Sequence, residues 1–212
     1  MRSAVVLAGG EGRRMGAEKT SVMLCGRPLI EHVIERIFDT VDEVIVVVRD
    51  DAQARRLEGA ISGCRVVIDR AHGVGPIAGL QAGMDSARGR YAFAAGCDMP
   101  FLNPDAIDFL FSLAEGHDGA VPILNGIPER LHAVYLARRL EEACRNVIAR
   151  GERRISASLA GLDIKFVDAG LFRAVDTELL SFFNVNTPDD LSTAERIMRG
   201  LAERGAPGCC DG

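Results

Sequence analysis

The densest chemistry in the chain lies near its start, in LAGGEGRRMGAEK (7–19). Gly9, Gly10, Gly12 and Gly16 are interleaved with Arg13 and Arg14 and followed by Lys19. Glycine lets the main chain take positive φ and come close to a ligand, so successive N–H groups can point at phosphate oxygens. Arg13, Arg14 and Lys19 would then be countercharges. The spacing excludes two common phosphate loops. A P-loop needs Gly-Lys-[Ser/Thr] contiguous, and Ala17 and Glu18 separate Gly16 from Lys19. The dinucleotide fingerprint needs a third glycine where Met15 stands. A phosphate cradle and a tight turn with solvated arginines remain.

Two aspartates follow apolar runs. Asp98 comes after YAFAAGC (91–97) and Asp69 after VVI (66–68), so both would emerge at the C-terminal ends of strands. Open α/β sheets bind ligands at that edge, and one carboxylate there can hold Mg²⁺ beside a substrate phosphate. Turn capping is the alternative for each. Asn184 and Asn186 bracket Val185 in FFNVNTPDDL (182–191). In an extended chain they share a face, and a helix start follows at Thr187-Pro188; Asx-turn capping of that helix is the default reading. The four histidines, at 32, 72, 117 and 132, show no nucleophile–base spacing.

These residues need elements to hold them. Apolar and β-branched runs predict strands at 4–7, 44–48, 65–68, 91–95, 119–123, 133–136, 164–167 and 183–185. Helical spacing predicts helices at 28–38, 53–60, 76–87, 104–113 and 140–149, one beginning at 156–160, and a last one from Thr187 to about Arg204. A stretch containing Gly126 and Pro128 separates the strands at 119–123 and 133–136. The alternation predicts a three-layer αβα, Rossmann-like domain with a mainly parallel sheet. No linker divides it, so 1–204 reads as one domain and 205–212 as a flexible tail.

The net charge of −5 argues against nucleic acid as a partner. No apolar run reaches the roughly 20 residues that span a bilayer, and no signal peptide is evident, so the expected location is cytoplasmic and off the membrane. The six cysteines include no C-x-x-C pair and no zinc framework. Cys25, Cys64, Cys97 and Cys144 read as buried free thiols, and the Cys209–Cys210 pair as inert.

As an ordered set, LAGGEGRRMGAEK, GRPLIEHV (26–33), VVIDR (66–70), GPIAGL (75–80), GCDMPFL (96–102), AVPILNGIPERLHAVY (120–135), GERRI (151–155) and FFNVNTPDDL resemble the molybdenum cofactor guanylyltransferases. The resemblance implies transfer of GMP from GTP to the phosphate of molybdenum-bearing molybdopterin, with Mg²⁺ as cofactor and pyrophosphate released. It places Leu7, Ala8, Gly9, Gly10, Gly12, Arg13, Lys19, Asp69, Gly75, Pro76 and Asp98 at the nucleotide. Lys19, Arg14 and Asp98 would be catalytic, and Asp98 with Asn186 would face the metal. Arg153, Arg154, Asn184 and Asn186 would meet the acceptor, with a solvated GERR turn (151–154) as the equal alternative for the two arginines.

Expected partners are GTP and molybdopterin, with a molybdopterin-delivering protein or apoenzyme chaperone as macromolecular candidates. The chain would be a monomer or weak homo-oligomer. Rivals are a molybdopterin cytidylyltransferase, a cobinamide-phosphate guanylyltransferase and a non-catalytic nucleotide-binding domain. Gly9 favours guanine, since cytidylyl relatives tend to show LAAG. GPIAGL, CDMPFL and LHAVY favour the molybdenum cofactor, and Lys19 with Asp98 favours catalysis. The sequence departs from the family pattern at Glu18 (often Asp), near Val47 (Asn) and at Arg130 (Pro).

Overall fold

Ser3 to Val6 are buried without a break in the first strand, β1 (Arg2–Leu7), and Val44 to Val48 likewise in β4 (Glu43–Val48). Unbroken burial marks strands covered on both faces, which is where parallel sheets form. The computed structural model describes residues 1–8, 22–71 and 73–203. Between β1 and β4 lie a small hairpin, β2 (Met23–Leu24) and β3 (Arg27–Pro28), and helix α1 (Leu29–Phe38). The hairpin turns at Cys25 and Gly26, both at positive φ (50° and 79°), as a type I′ turn requires.

Next come α2 (Asp51–Leu57), β5 (Arg65–Ile68), α3 (Pro76–Ser86), β6 (Tyr91–Gly96) and α4 (Pro104–Ala114). They are followed by β7 (Gly119–Leu124), β8 (Ile127–Pro128), β9 (His132–Leu136), α5 (Ala137–Ala149), α6 (Ile155–Ser158), β10 (Ile164–Asp168) and α7 (Pro188–Glu203).

The main sheet runs β10-β7-β9-β6-β1-β4-β5, with β8 on β7. The pairs β6–β1, β1–β4, β4–β5 and β10–β7 are parallel, whereas β9 runs antiparallel to both β6 and β7. One apolar cluster packs α1, Leu57 of α2 and α4 against Ala4, Val6, Val46 and Phe93. A second packs α3 and α5 against Val5, Ile45, Val47 and Ala94 on the opposite face. The result is helix–sheet–helix, as the alternation predicts. α3 lies close over the sheet at Gly83, where an added Cβ would collide with Val5. Gln81 Nε2 donates to Glu141 at 2.6 Å, and Arg145 also bonds that carboxylate, joining α3 to α5.

Several predicted elements are corrected. Residues 183–185 form no strand: they leave a 3₁₀ turn (Leu180–Phe182) in irregular conformation, with Val185 bonded to the main chain of Asp98. α2 begins at Asp51 rather than 53, because the Asp50 side chain accepts from Gln53 N–H at 2.7 Å, and it ends at Leu57 rather than 60. The stretch containing Gly126 is the β7–β8 hairpin, turned by Asn125 and Gly126 at φ 50° and 79°. Cys97 and Cys144 are buried as expected, but Cys25 and Cys64 are only partly covered. Burial pushes the Cys144 thiol up to about 11. His72, Cys209, Cys210 and the tail fall outside the described residues.

Candidate active site

The chain runs outward along the sheet from β1 through β4 to β5, then returns through α3 to lay β6 on the other side of β1. Connections therefore diverge between β1 and β6, and ligands settle in the crevice at such a switch point. Leu7 pairs with Gly96, and Cys97 N–H donates to Leu7 C=O at 3.2 Å. Ala8 and Cys97 thus leave the sheet side by side, and Asp98 follows at once. The exit of β1 is fixed twice more: Ala8 N–H donates to Val47 C=O (2.9 Å), and Gln53 Nε2 donates to Ala8 C=O (3.1 Å). Gln53 is itself 2 % exposed. Only a polar residue on a short helix marks this clamp in the sequence.

Asp69 continues β5 by donating its N–H to Val48 C=O at 2.8 Å. Its Oδ1 accepts from Ala71 N–H (2.9 Å), so the turn role open in the sequence is real for that oxygen. Oδ2 points toward α3, lying 3.8 Å from where a Cβ on Gly79 would sit. Gly75, at φ 94°, and Pro76 start α3 without a side-chain cap. Its first-turn N–H groups and positive dipole end come directly after the β5–α3 loop, and Gly79 of that turn faces Leu7 and Val47 at the ends of β1 and β4.

Gly96 leaves space for the Asp98 carboxylate, since an added Cβ would collide with Oδ1. Asp98 C=O accepts from Val185 N–H at 2.8 Å, which brings the Asn184–Asn186 segment to the end of β6. Phe101 and Phe183 stack edge-on at 5.8 Å beside it. Thr187 and Asp190 form a reciprocal box at the start of α7, with Asp190 N–H on Thr187 Oγ1 (3.1 Å) and Thr187 N–H on Asp190 Oδ2 (2.9 Å). Asn186 N–H also donates to Asp190 Oδ2 (3.0 Å), and Asn184 Nδ2 donates to Phe182 C=O (3.0 Å).

Further ties were not foreseen. Asp176 accepts from Leu180 and Ser181 N–H (3.0 and 2.8 Å), and Ser181 Oγ accepts from Asn103 N–H (2.8 Å). Asn103 Nδ2 reaches Val175 C=O at 2.9 Å. The 175–187 strap is thereby laced to the loop that carries Asp98. Nothing in the composition of that stretch marks the lacing in advance.

Of the remaining candidates, Arg153 Nη1 donates to Gly73 C=O at 3.0 Å, on the β5–α3 loop. Arg154 is exposed at the start of α6. Gly9, Gly10, Gly12, Arg13, Arg14 and Lys19 lie outside the described residues. Among the described residues no group of three or more His, Cys, Asp or Glu side chains could hold a metal ion. A lone carboxylate beside an asparagine segment does not make a cage. It does fit Mg²⁺, which takes one or two protein carboxylates and fills its shell with water and substrate phosphate. No helix among the described residues is long and apolar enough to cross a membrane.

The chain is 37% identical over 210 residues to a probable molybdenum cofactor guanylyltransferase of Methanosarcina acetivorans, covering 95% of this chain and 93% of that protein. It is 38% identical over 198 residues to a protein so described from Methanosarcina mazei, covering 90% and 88%. The crystal structure of molybdopterin-guanine dinucleotide biosynthesis protein A from Archaeoglobus fulgidus superimposes with a TM-score of 0.82 at 37% identity, over 94% of this chain and 100% of that one. Residues 4–163 match the family model for the MobA-like NTP transferase domain. With sequence, fold and family model in agreement across the β1–β6 crevice, the chain belongs to the MobA-like NTP transferase family and is a nucleotidyltransferase.

Proposed function

We propose that this chain transfers GMP from GTP to the phosphate of molybdenum-bearing molybdopterin. An oxygen of the acceptor phosphate attacks the α-phosphorus, the bond from that phosphorus to the α–β bridging oxygen breaks, and pyrophosphate leaves with the electron pair. This chemistry needs no protein nucleophile. It needs in-line positioning and charges that offset those developing on the leaving group.

Leu7, Ala8 and Gly9 hold the nucleotide, with Asp69, Gly75 and Pro76 on its far side. Gly10, Gly12 and Arg13 present donors to the phosphates, and Lys19 and Arg14 stabilise the departing pyrophosphate. Asp98, with Asn186 beside it, would hold Mg²⁺, which would supply positive charge to the substrate phosphates. Asn184 and Arg154 face the acceptor. Arg153, which the sequence groups with them, is bonded to the nucleotide-side loop and orders that loop at Gly73. A molybdopterin-delivering protein or an apoenzyme chaperone is the macromolecular partner this role calls for.

The observation that carries the reading is the juxtaposition of the β1 exit with the Asp98 carboxylate, where Leu7 pairs with Gly96. Acceptor-dependent pyrophosphate release from GTP tests it. Turnover only with CTP, or only with cobinamide phosphate, contradicts it.

A further inference from the structure

Among the described residues, the buried side-chain polar atoms without a hydrogen-bond partner are Arg130 Nε and both ring nitrogens of His132. Native interiors hold few such atoms, because the bonds given up to water are not replaced. Here they fall within three residues of one another, and the register shows where. His132 pairs with Ala95, so the turn before β9 lies beside the end of β6, where the chain runs on to Asp98.

The two residues differ in access. His132 is fully buried, its ring 4.4 Å from that of Phe182 and 5.4 Å from that of Phe93, so no ligand reaches it. Arg130 is half-exposed. Its backbone is fixed: Tyr135 Oη donates to Arg130 C=O (2.9 Å), Glu129 N–H to Pro122 C=O (2.8 Å) and His132 N–H to Glu129 C=O (3.3 Å). The guanidinium has no ion-pair partner within 4 Å among the described residues. Burial pushes the neighbouring Glu129 carboxyl above its usual range, and the Arg130 charge pulls it back.

Position decides what the guanidinium can meet. In the order β9-β6-β1-β4-β5, the nucleotide side is built on β1, β4 and β5, and β9 lies across β6 from it. Strands about 4.8 Å apart put β9 about 10 Å from β1 and about 20 Å from β5. The head of β9 therefore lies beside the Asp98 end of β6, on the side of that strand away from β1, β4 and β5.

We propose that Arg130 is an acceptor-side anion contact, the exposed end of its guanidinium meeting a phosphate monoester of the acceptor. The proposal rests on the guanylyl-transfer reading for the identity of that monoester. Arg130→Gln raises the molybdopterin KM by about tenfold or more while the GTP KM moves by less than about twofold. Arg130→Lys, which keeps the charge without Nε, falls between. An unchanged molybdopterin KM in folded Arg130→Gln, or a loss that falls on GTP, overturns the assignment.

A second measurement needs neither a variant nor turnover. Phenylglyoxal modification of Arg130 in the full chain, read by peptide mass spectrometry, is slowed by molybdopterin and by inorganic phosphate but not by Mg–GTP. Protection by Mg–GTP alone, or by nothing, overturns the proposal. If the wild-type chain does not turn over molybdopterin at all, the transfer reading fails, and phosphate protection still tests Arg130.

Discussion

The proposed reaction places most of its chemistry on Asp98, whose side chain has room because Gly96 carries none. Asp98→Ala removes a preorganised charge contact, worth about 2.7–4 kcal/mol in the transition state, so kcat falls by about two to three orders of magnitude. A melting temperature within about 2 °C of wild type shows that the fold survives the change. Near-normal turnover contradicts the assignment. Titration at His132 makes a separate point. Burial holds this imidazole down at about 3, although the Ser181 main chain lies close enough to favour the charged form slightly. The unfolded chain takes up that proton near pH 6.5, whereas the native state resists until about pH 3. Stability from this group is therefore intact above pH 6.5 and declines as pH falls, by about 1.4 kcal/mol per unit through that window. His132→Phe flattens the acid side of a melting-temperature–pH profile, and an unchanged slope contradicts the account. Asp98 and Asp69 were legible because an apolar run ending in one carboxylate is a local pattern. Gln53, Asp176 and Ser181 were not, because their partners are main-chain groups distant in sequence or a turn away.

At the element scale, the parallel strands β1, β4 and β6 announce themselves as unbroken apolar runs, since both faces are covered, while the edge strand β5 shows as a short β-branched run that is only partly covered. The β7–β8 hairpin was also written locally, in Asn125-Gly126, the strongest short hairpin signal, although β8 has only two residues and shows no alternation of its own. Residues 183–185 misled for a physical reason. Phe183 and Val185 are apolar because they pack against Phe101 and the α7 cluster, and no sheet edge is involved. Close packing of α3 on β1 depends on Gly83, where the nearest Val5 atom blocks any Cβ. Gly83→Ala gains up to about 1 kcal/mol of helix propensity but forces the helix off the strand, a cost of about 1–3 kcal/mol. The expected net is a melting temperature lower by about 2–8 °C, and an equal or higher value contradicts the packing argument.

For the whole molecule, alternation of strands and helices predicted the three layers, but strand order is not a local property. The switch between β1 and β6, and the reversal of β9, appear only once the chain is folded, and they bring Ala8, Asp98 and the 184–186 segment to one edge. It is to that edge that the proposed guanylyl transfer is assigned. The most direct test is a reaction of the purified chain with Mg²⁺, molybdenum-bearing molybdopterin and an equimolar mixture of GTP, CTP and ATP, with products identified by mass spectrometry. The account predicts the guanine dinucleotide as the dominant product, with pyrophosphate formed one for one. A cytosine or adenine dinucleotide as the main product, or pyrophosphate released with no pterin dinucleotide formed, would contradict it.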